Sequence, residues 1–160
     1  MQHVGKYVHL RHIIFFLYHM NSVVFPNWQP MHLANELVRL QPLQSSHFDA
    51  LFQVASDPLI WEQHPNPYRY RLQDFTLFFE GAMASGGAFI IRDAATNAPV
   101  GSSRFYEYDA SQSAVKIGYT FFARSCWGKG YNAAAKALMI DYALPWVCTI
   151  IFHVGAGNIR

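Results

Sequence analysis

Between the apolar segment "IGYTFFA" and the alanine-rich "YNAAAKALMIDYAL" the chain reads "RSCWGKG", with Gly128 and Gly130 on either side of Lys129. A strand therefore has to run into a helix through a turn in which two residues lack a Cβ, which admits a left-handed backbone and the close approach of another group. Ala133 to Leu144 sets Ala135, Leu138, Met139 and Tyr142 on one helical face and is halted by Pro145, so the glycines stand at a helix N-terminus. The first N–H groups of a helix have no intrahelical acceptor and the macrodipole is positive there, which suits a phosphate or pyrophosphate. Arg124 and Lys129 add cationic charge beside that point, or serve as solvated surface cations.

Three patterns compete for this stretch. A Walker loop needs a longer glycine span ending in Gly-Lys-Ser/Thr, and "WGKGYN" has neither the span nor the hydroxyl. Gly128, Gly130 and Ala133 satisfy the dinucleotide pattern G-x-G-x-x-G/A, but no Asp or Glu follows Asp141 to meet a ribose, and the preceding strands read as antiparallel. The third reading is a helix entered through a flexible glycine pair with no ligand.

The remaining pattern is that of one mixed α/β domain. "LVRLQPL", with Leu37, Leu40 and Leu43, predicts a strand closed by Pro42, and Ser46 can cap a helix in "SHFDALFQVAS" that ends before Asp57-Pro58. "RLQDFTLFFEGAMASGG" predicts a second helix with Leu72, Phe75, Phe79 and Met83 on one face and Gly86-Gly87 as its stop. "AFIIRD", "VGSSRFYEY" and "AVKIGYTFFA", separated by the turns "AATNAP" and "DASQS", predict an antiparallel meander, and "WVCTIIFHV" a further strand after the glycine segment and its helix.

Composition excludes several classes. At 160 residues, 52% hydrophobic and 14% charged, the chain can bury a core and does not read as disordered. A net charge of +2 with scattered Lys and Arg gives no footprint for nucleic acid. The apolar run Ile13 to Tyr18 is far shorter than the roughly 20 residues of a membrane span. His9, His12 and His19 lack a Cys or carboxylate companion, so no metal is expected. Cys126 and Cys148 have no metal-type spacing and read as reduced, half-buried thiols of a cytoplasmic protein. Pro26 and Pro30 punctuate the chain, so residues 1–30 read as an extension and residues 31–160 as the domain.

From about Leu37 to Arg160 the chain resembles the GCN5-related N-acetyltransferase superfamily, in particular the branch with the ribosomal-protein alanine acetyltransferases. The likeness lies in the element order and in "PVGSSRFYEYD", "VKIGYTFFARSCWGKGYNAAAKALMIDYAL" and "IFHVGAGNIR". It implies a central mixed, mostly antiparallel sheet flanked by helices, acetyl-CoA as co-substrate, and attack of a primary amine of a small molecule or protein N-terminus on the thioester. The family's pyrophosphate pattern falls on Trp127, Gly128, Lys129, Gly130, Tyr131 and Asn132, with Trp and Asn at positions where the family has other residues. By the same resemblance, Phe121, Phe122 and Ala123 receive the pantetheine arm and thioester carbonyl, with Arg124 beside them, and Asn158 lies near the pantetheine.

Many relatives carry an acidic residue before the Ile-Gly-Tyr of the fourth strand, where this chain has Lys116. Tyr119 and Glu107 are then the candidates for proton transfer, with Asp109, Glu62, His64 or a water relay as alternatives. Trp61, His64 and Tyr68, between the two early helices, are candidate acceptor contacts. The family's sheet continues with a further helix and two strands past the "GAGN" segment, so the resemblance implies a fold lacking its final elements. An edge left open in that way would favour self-association, a homodimer among its forms. The competing expectation is a non-catalytic remnant or CoA-binding module.

Overall fold

Alternation along the strands divides the apolar residues into two sets, and one set packs on each side of a single sheet in the computed structural model, which describes residues 26–153. The elements are β1 (Leu33–Ala34), β2 (Val38–Pro42), α1 (Phe48–Ala55), α2 (Leu72–Ala84), β3 (Ala88–Asp93), β4 (Pro99–Asp109), β5 (Ala114–Phe122), α3 (Tyr131–Ala143) and β6 (Thr149–Ile151). Short 3-10 turns lie at Ser45–His47, Pro58–Ile60 and Arg124–Cys126. The six strands lie in the order β1-β2-β3-β4-β5-β6, every neighbouring pair antiparallel except β5 and β6, which are parallel. This is the mixed, mostly antiparallel sheet flanked by helices that the sequence predicts.

β3 shows the division most simply. Phe89 and Ile91 join the cluster under α3, while Ala88 and Ile90 join the cluster under α1 and α2. All four are fully buried, and each large side chain among them contributes on the order of 1.5–3 kcal/mol. The meander turns are held by carboxylates. Asp93 accepts from the backbone N–H of Ala95 and Thr96 and from the Thr96 hydroxyl, and Asp109 accepts from the N–H of Ser111 and Gln112 and the Ser111 hydroxyl.

β5 changes parity midway. Val115 and Ile117 face α3, yet so does Phe122, while Phe121 faces α2. The change is a β-bulge: pairing with β4 runs Arg104 to Gly118 and then Ser102 to Phe121, so Tyr119 and Thr120 both stand opposite Ser103. Tyr119 takes the strain with φ 53°. Gly118 shares the α2 side with Tyr119, and a Cβ there would lie 3.1 Å from the Tyr106 ring.

Several local expectations are corrected. Ser46 does not cap α1; it lies inside the 3-10 turn, at whose start the His47 ring accepts from the Gln44 N–H. The buried face of α2 is Phe75, Phe78, Phe79 and Ala82, with Leu72 and Met83 exposed, because the helix lies over β5 and Trp61 by its phenylalanine side. In β2 it is Val38 and Leu40 that share the core face, and Leu37 precedes the strand. α3 begins two residues before Ala133 and buries Ala135, Met139 and Ala143, with Leu138 and Tyr142 only partly covered. β6 is three residues rather than nine, and β1 has no counterpart in the sequence reading. Packing also starts before Met31: the Tyr142 hydroxyl donates to the Asn27 carbonyl, Gln29 Nε2 to that of Ala88, and the Trp28 ring packs tilted against Phe105. Cys126 is buried and Cys148 exposed, both as free thiols. His9, His12, His19 and Asn158 lie outside the described residues.

Candidate functional site

The glycine turn joins β5 to α3. Gly128 and Gly130 both have positive φ, 71° and 83°, and Gly130 is the residue that starts α3, with no side chain capping the helix. A Cβ at Gly128 would meet nothing within 4 Å, and one at Gly130 would meet only Leu37 Cδ2 at 3.8 Å. The fold therefore requires glycine for its backbone angles and leaves the space above the turn open, with the first-turn N–H groups of α3 uncovered by any cap. That is the observation with which a pyrophosphate cradle is consistent.

Around this turn the side chains divide into those tied down and those left outside. The Trp127 indole donates to the Phe122 carbonyl at 3.1 Å, and the Tyr131 hydroxyl donates to Asp93 at 2.5 Å, fastening the start of α3 to the β3–β4 turn. That bond holds the Asp93 carboxyl down at about 2 and pushes the Tyr131 phenol up to about 12. Arg124 Nε is paired with Asp57 Oδ2 at 2.5 Å, which bridges the turn to the segment after α1. Lys129 and Asn132 are exposed, and Phe121 and Phe122 are buried on opposite sides of the sheet.

β5 and β6 pair only from Ala114 to Lys116 and from Thr149 to Ile151. Among the described residues the rest of β5, toward the glycine turn, has no strand neighbour on that side. Lys136 of α3 reaches across to this stretch, its Nζ donating to Thr120 Oγ1 at 2.6 Å and Ser103 Oγ at 3.0 Å. Burial pushes its amine down to about 8. The native state thus holds fewer protons than the unfolded chain between about pH 8 and the ordinary 10.5, so this group's contribution improves as pH rises through that window. Lys136→Met is expected to stabilise the protein at pH 7 by roughly 1–3 kcal/mol and to remove the gain between pH 8 and 10.5. Urea midpoints at pH 7 and 10 measure both. A loss at pH 7 would mean that the two hydroxyl contacts outweigh the burial of charge.

On the other face of the sheet the bulge presents Tyr119, whose ring lies under the Arg104 guanidinium with Cζ 3.4 Å from the ring centroid. Tyr106 meets the same ring edge-on at 5.0 Å. Glu107 is ion-paired with Lys116, which holds its carboxylate below the usual range and makes it a weak proton acceptor. Asp109, likewise lowered chiefly by its bond to Ser111, is a turn residue, and Glu62 is on the surface. His64 Nδ1 accepts the N–H of Asn66 at 2.9 Å, and its Nε2 lies 3.2 Å from Arg69 Nη1. Burial first, then Arg69, lowers its pKa, so the neutral ring is favoured.

The candidate acceptor contacts separate. Trp61 is a core residue, 1% exposed, with its indole donating to the Ala55 carbonyl. Tyr68 is exposed and stacked under Arg71 at 4.3 Å. The sequence reading missed Arg69, Arg104 and Lys136. The available signal was the lysine interrupting the alanine stripe of α3. Among the described residues no three His, Cys, Asp or Glu side chains could hold a metal ion, and no helix is long and apolar enough to cross a membrane.

Residues 38–160 match the family described as acetyltransferase (GNAT) domain. No curated protein matches the chain significantly. Among solved structures, a GNAT-family acetyltransferase from Bacillus anthracis is similar at TM-score 0.66 and 20% identity over 80% of this chain and 76% of its own. A GCN5-related N-acetyltransferase from Brucella melitensis gives TM-score 0.62 and 20% identity over 80% of this chain, which spans only 61% of that protein. A microcin self-immunity acetyltransferase, solved in complex with acetyl-CoA and AMP, gives TM-score 0.65 and 16% identity over 82% of this chain and 78% of its own. At these identities the likenesses speak for the fold.

Proposed function

The chain belongs to the GNAT acetyltransferase family, and on that premise we propose that it transfers an acetyl group from acetyl-CoA to a primary amine, on a small molecule or a protein N-terminus. Within the family we assign it to the ribosomal-protein alanine acetyltransferase-like branch, on the likeness of its strand-turn-helix motif. The observation that carries the reading is the open glycine turn, with two positive-φ glycines delivering β5 into an uncapped helix. Acetyl-CoA supplies the activated acyl group as a thioester.

The chain's own residues bind and orient. The backbone N–H groups of Gly128, Gly130, Tyr131 and Asn132 are assigned to the pyrophosphate, with Lys129 as a mobile cation beside them. Trp127 and the Arg124–Asp57 pair fix the turn against β5 and the segment after α1. The backbone of Phe121, Phe122 and Ala123, at the end of β5 where the β6 side is open, is assigned to the pantetheine arm and thioester carbonyl. In the transfer an N–C bond forms, the C–S bond breaks and the amine gives up a proton. Tyr119, partly exposed at the bulge, is assigned the proton-handling role, because Glu107 is held by Lys116 and the Nδ1 of His64 is taken by the Asn66 N–H.

Thermal unfolding with acetyl-CoA, CoA and a nicotinamide dinucleotide, followed by thiol release in the presence of primary amines, tests the reading. Ligand at 100 times its Kd should stabilise the fold by about 2.7 kcal/mol, and the dinucleotide should not. Stabilisation without transfer to any amine would leave a CoA-binding module, and no stabilisation would remove the proposal. Tyr119→Phe is expected to lower kcat by roughly 100-fold with acetyl-CoA binding unchanged. An unaltered kcat would remove Tyr119 from the chemistry.

A further inference from the structure

Arg104 is 7% exposed, and its Nε and Nη1 have no hydrogen-bond acceptor among the described residues. It forms one wall of a cavity of about 270 Å³ that Arg69, Asp74, Phe78, Gly81 and Tyr119 also line. Arg69 lies with its guanidinium 4.7 Å from the Phe78 ring centroid and 5.8 Å from that of Tyr119, so two cations share one small cavity. Burial pulls both guanidinium groups below their ordinary pKa, and Arg104 further depresses Arg69. The ion pairs among the described residues are Lys116–Glu107 and Arg124–Asp57, and neither neutralises this pair. Asp74 lines the same cavity, and its carboxylate favours the charged form of Arg71.

A buried arginine with two nitrogens lacking acceptors is costly, and its contact with Tyr119 offsets only part of that cost. An oxyanion between the two guanidinium groups would give an unpaired Arg104 N–H its acceptor and relieve the mutual repulsion, with the charge-assisted hydrogen bonding that arginine provides for carboxylate and phosphate. Access is present: on α2 the residue facing Arg104 Nη1 is Gly81, where even an added Cβ would lie 3.7 Å away. The cavity is the size of a small molecule's tail, and Tyr119 connects it to the bulge of β5.

We infer that the acceptor is a small primary amine carrying one oxyanion group, a carboxylate or a phosphate, held by Arg104 and Arg69 in this cavity while its amine is presented at Tyr119. The inference rests on the acetyl-transfer reading for the amine and on the cavity alone for the anion.

Three matched amines test it: n-propylamine, 3-aminopropanoate and 2-aminoethyl phosphate, with thiol release from acetyl-CoA as readout. The expected result is kcat/KM at least 100-fold higher for one or both anionic amines than for propylamine, the better of the two identifying the group. Arg104→Met should collapse that ratio toward 1, and Arg69→Gln, a partly exposed position, should reduce it if the Arg104 variant does not fold. Equal rates for all three amines, or a ratio that survives the foldable variant, would overturn the inference. Should no amine be acetylated, the arginine side-chain Nε–H resonances settle it on titration with acetate and inorganic phosphate. A saturable shift assigned to Arg104 upholds the anion site and leaves the acetyl-transfer reading to its own test, and no shift ends the inference.

Discussion

Gly130→Val should cost at least 100-fold in acetyl-CoA affinity while leaving the protein folded, with stability lowered by about 1–3 kcal/mol. The two effects have different sources. The residue starts α3 at φ 83°, a backbone angle that a β-branched side chain strongly disfavours. Within the fold the added atoms meet little, since Leu37 Cδ2 at 3.8 Å is an ordinary contact, so the cost to stability is one of backbone conformation. For binding, relaxing that angle redirects the N–H groups at the start of α3, and the side chain enters the open space above the turn. Calorimetric titration with acetyl-CoA, beside a urea melt of the same sample, separates the two. An unchanged Kd in a folded Gly130→Val protein would show that the pyrophosphate is not placed on this turn.

The sheet and its helices were legible because each segment carries its period. "AFIIRD" is buried on both faces and reads as a continuous apolar run, and the β3–β4–β5 turns are marked by Asp93 and Asp109, whose side chains hold them. The face of α2 was misread because hydrophobicity alone cannot rank Leu72 and Met83 below Phe78 and Ala82. Their burial is decided by Trp61 and Phe121, which arrive from distant segments. β6 was overextended for a related reason: its apolar run continues through Phe152, but pairing stops where β5 passes Lys116.

The glycine turn was legible because its requirement is local, a property of two backbone angles and the helix that follows. The cavity at the bulge was not. Arg104 lies in "SSRFYEY", where strand alternation alone cannot distinguish a solvent-facing arginine from a buried one. What buries it is the covering of that side of the sheet by α2, together with the stack on Tyr119 that the parity change in β5 produces. The burial of Trp61 was equally illegible, since its aromatic side chain satisfies its polar atom within the core through Ala55.

Gly101→Ala carries the largest expected loss of stability, about 3 kcal/mol or more, or roughly 10 °C in Tm. A Cβ at Gly101 would stand 2.1 Å from the Phe121 carbonyl oxygen and 3.1 Å from Phe122 Cα, all backbone atoms that no rotamer change can move. Gly101 is paired with Phe122 and Ser102 with Phe121, and the neighbouring Ala123 N–H donates to the Val100 carbonyl at 2.8 Å, so the strands have to part where β5 ends. The substitution therefore reaches the segment assigned to the thioester, and acetyl-CoA binding should weaken together with stability. Gly81→Ala is the contrast, a helix-interior glycine whose added methyl lies 3.7 Å from Arg104 Nη1 and should stabilise α2 by about 0.5–1 kcal/mol. Thermal melts of the two variants beside the parent decide the matter. If Gly101→Ala melted with the parent, β4 and β5 would not approach as closely as the register of the bulge requires, and the placement of Phe121 to Ala123 at the mouth of the site would fall with it.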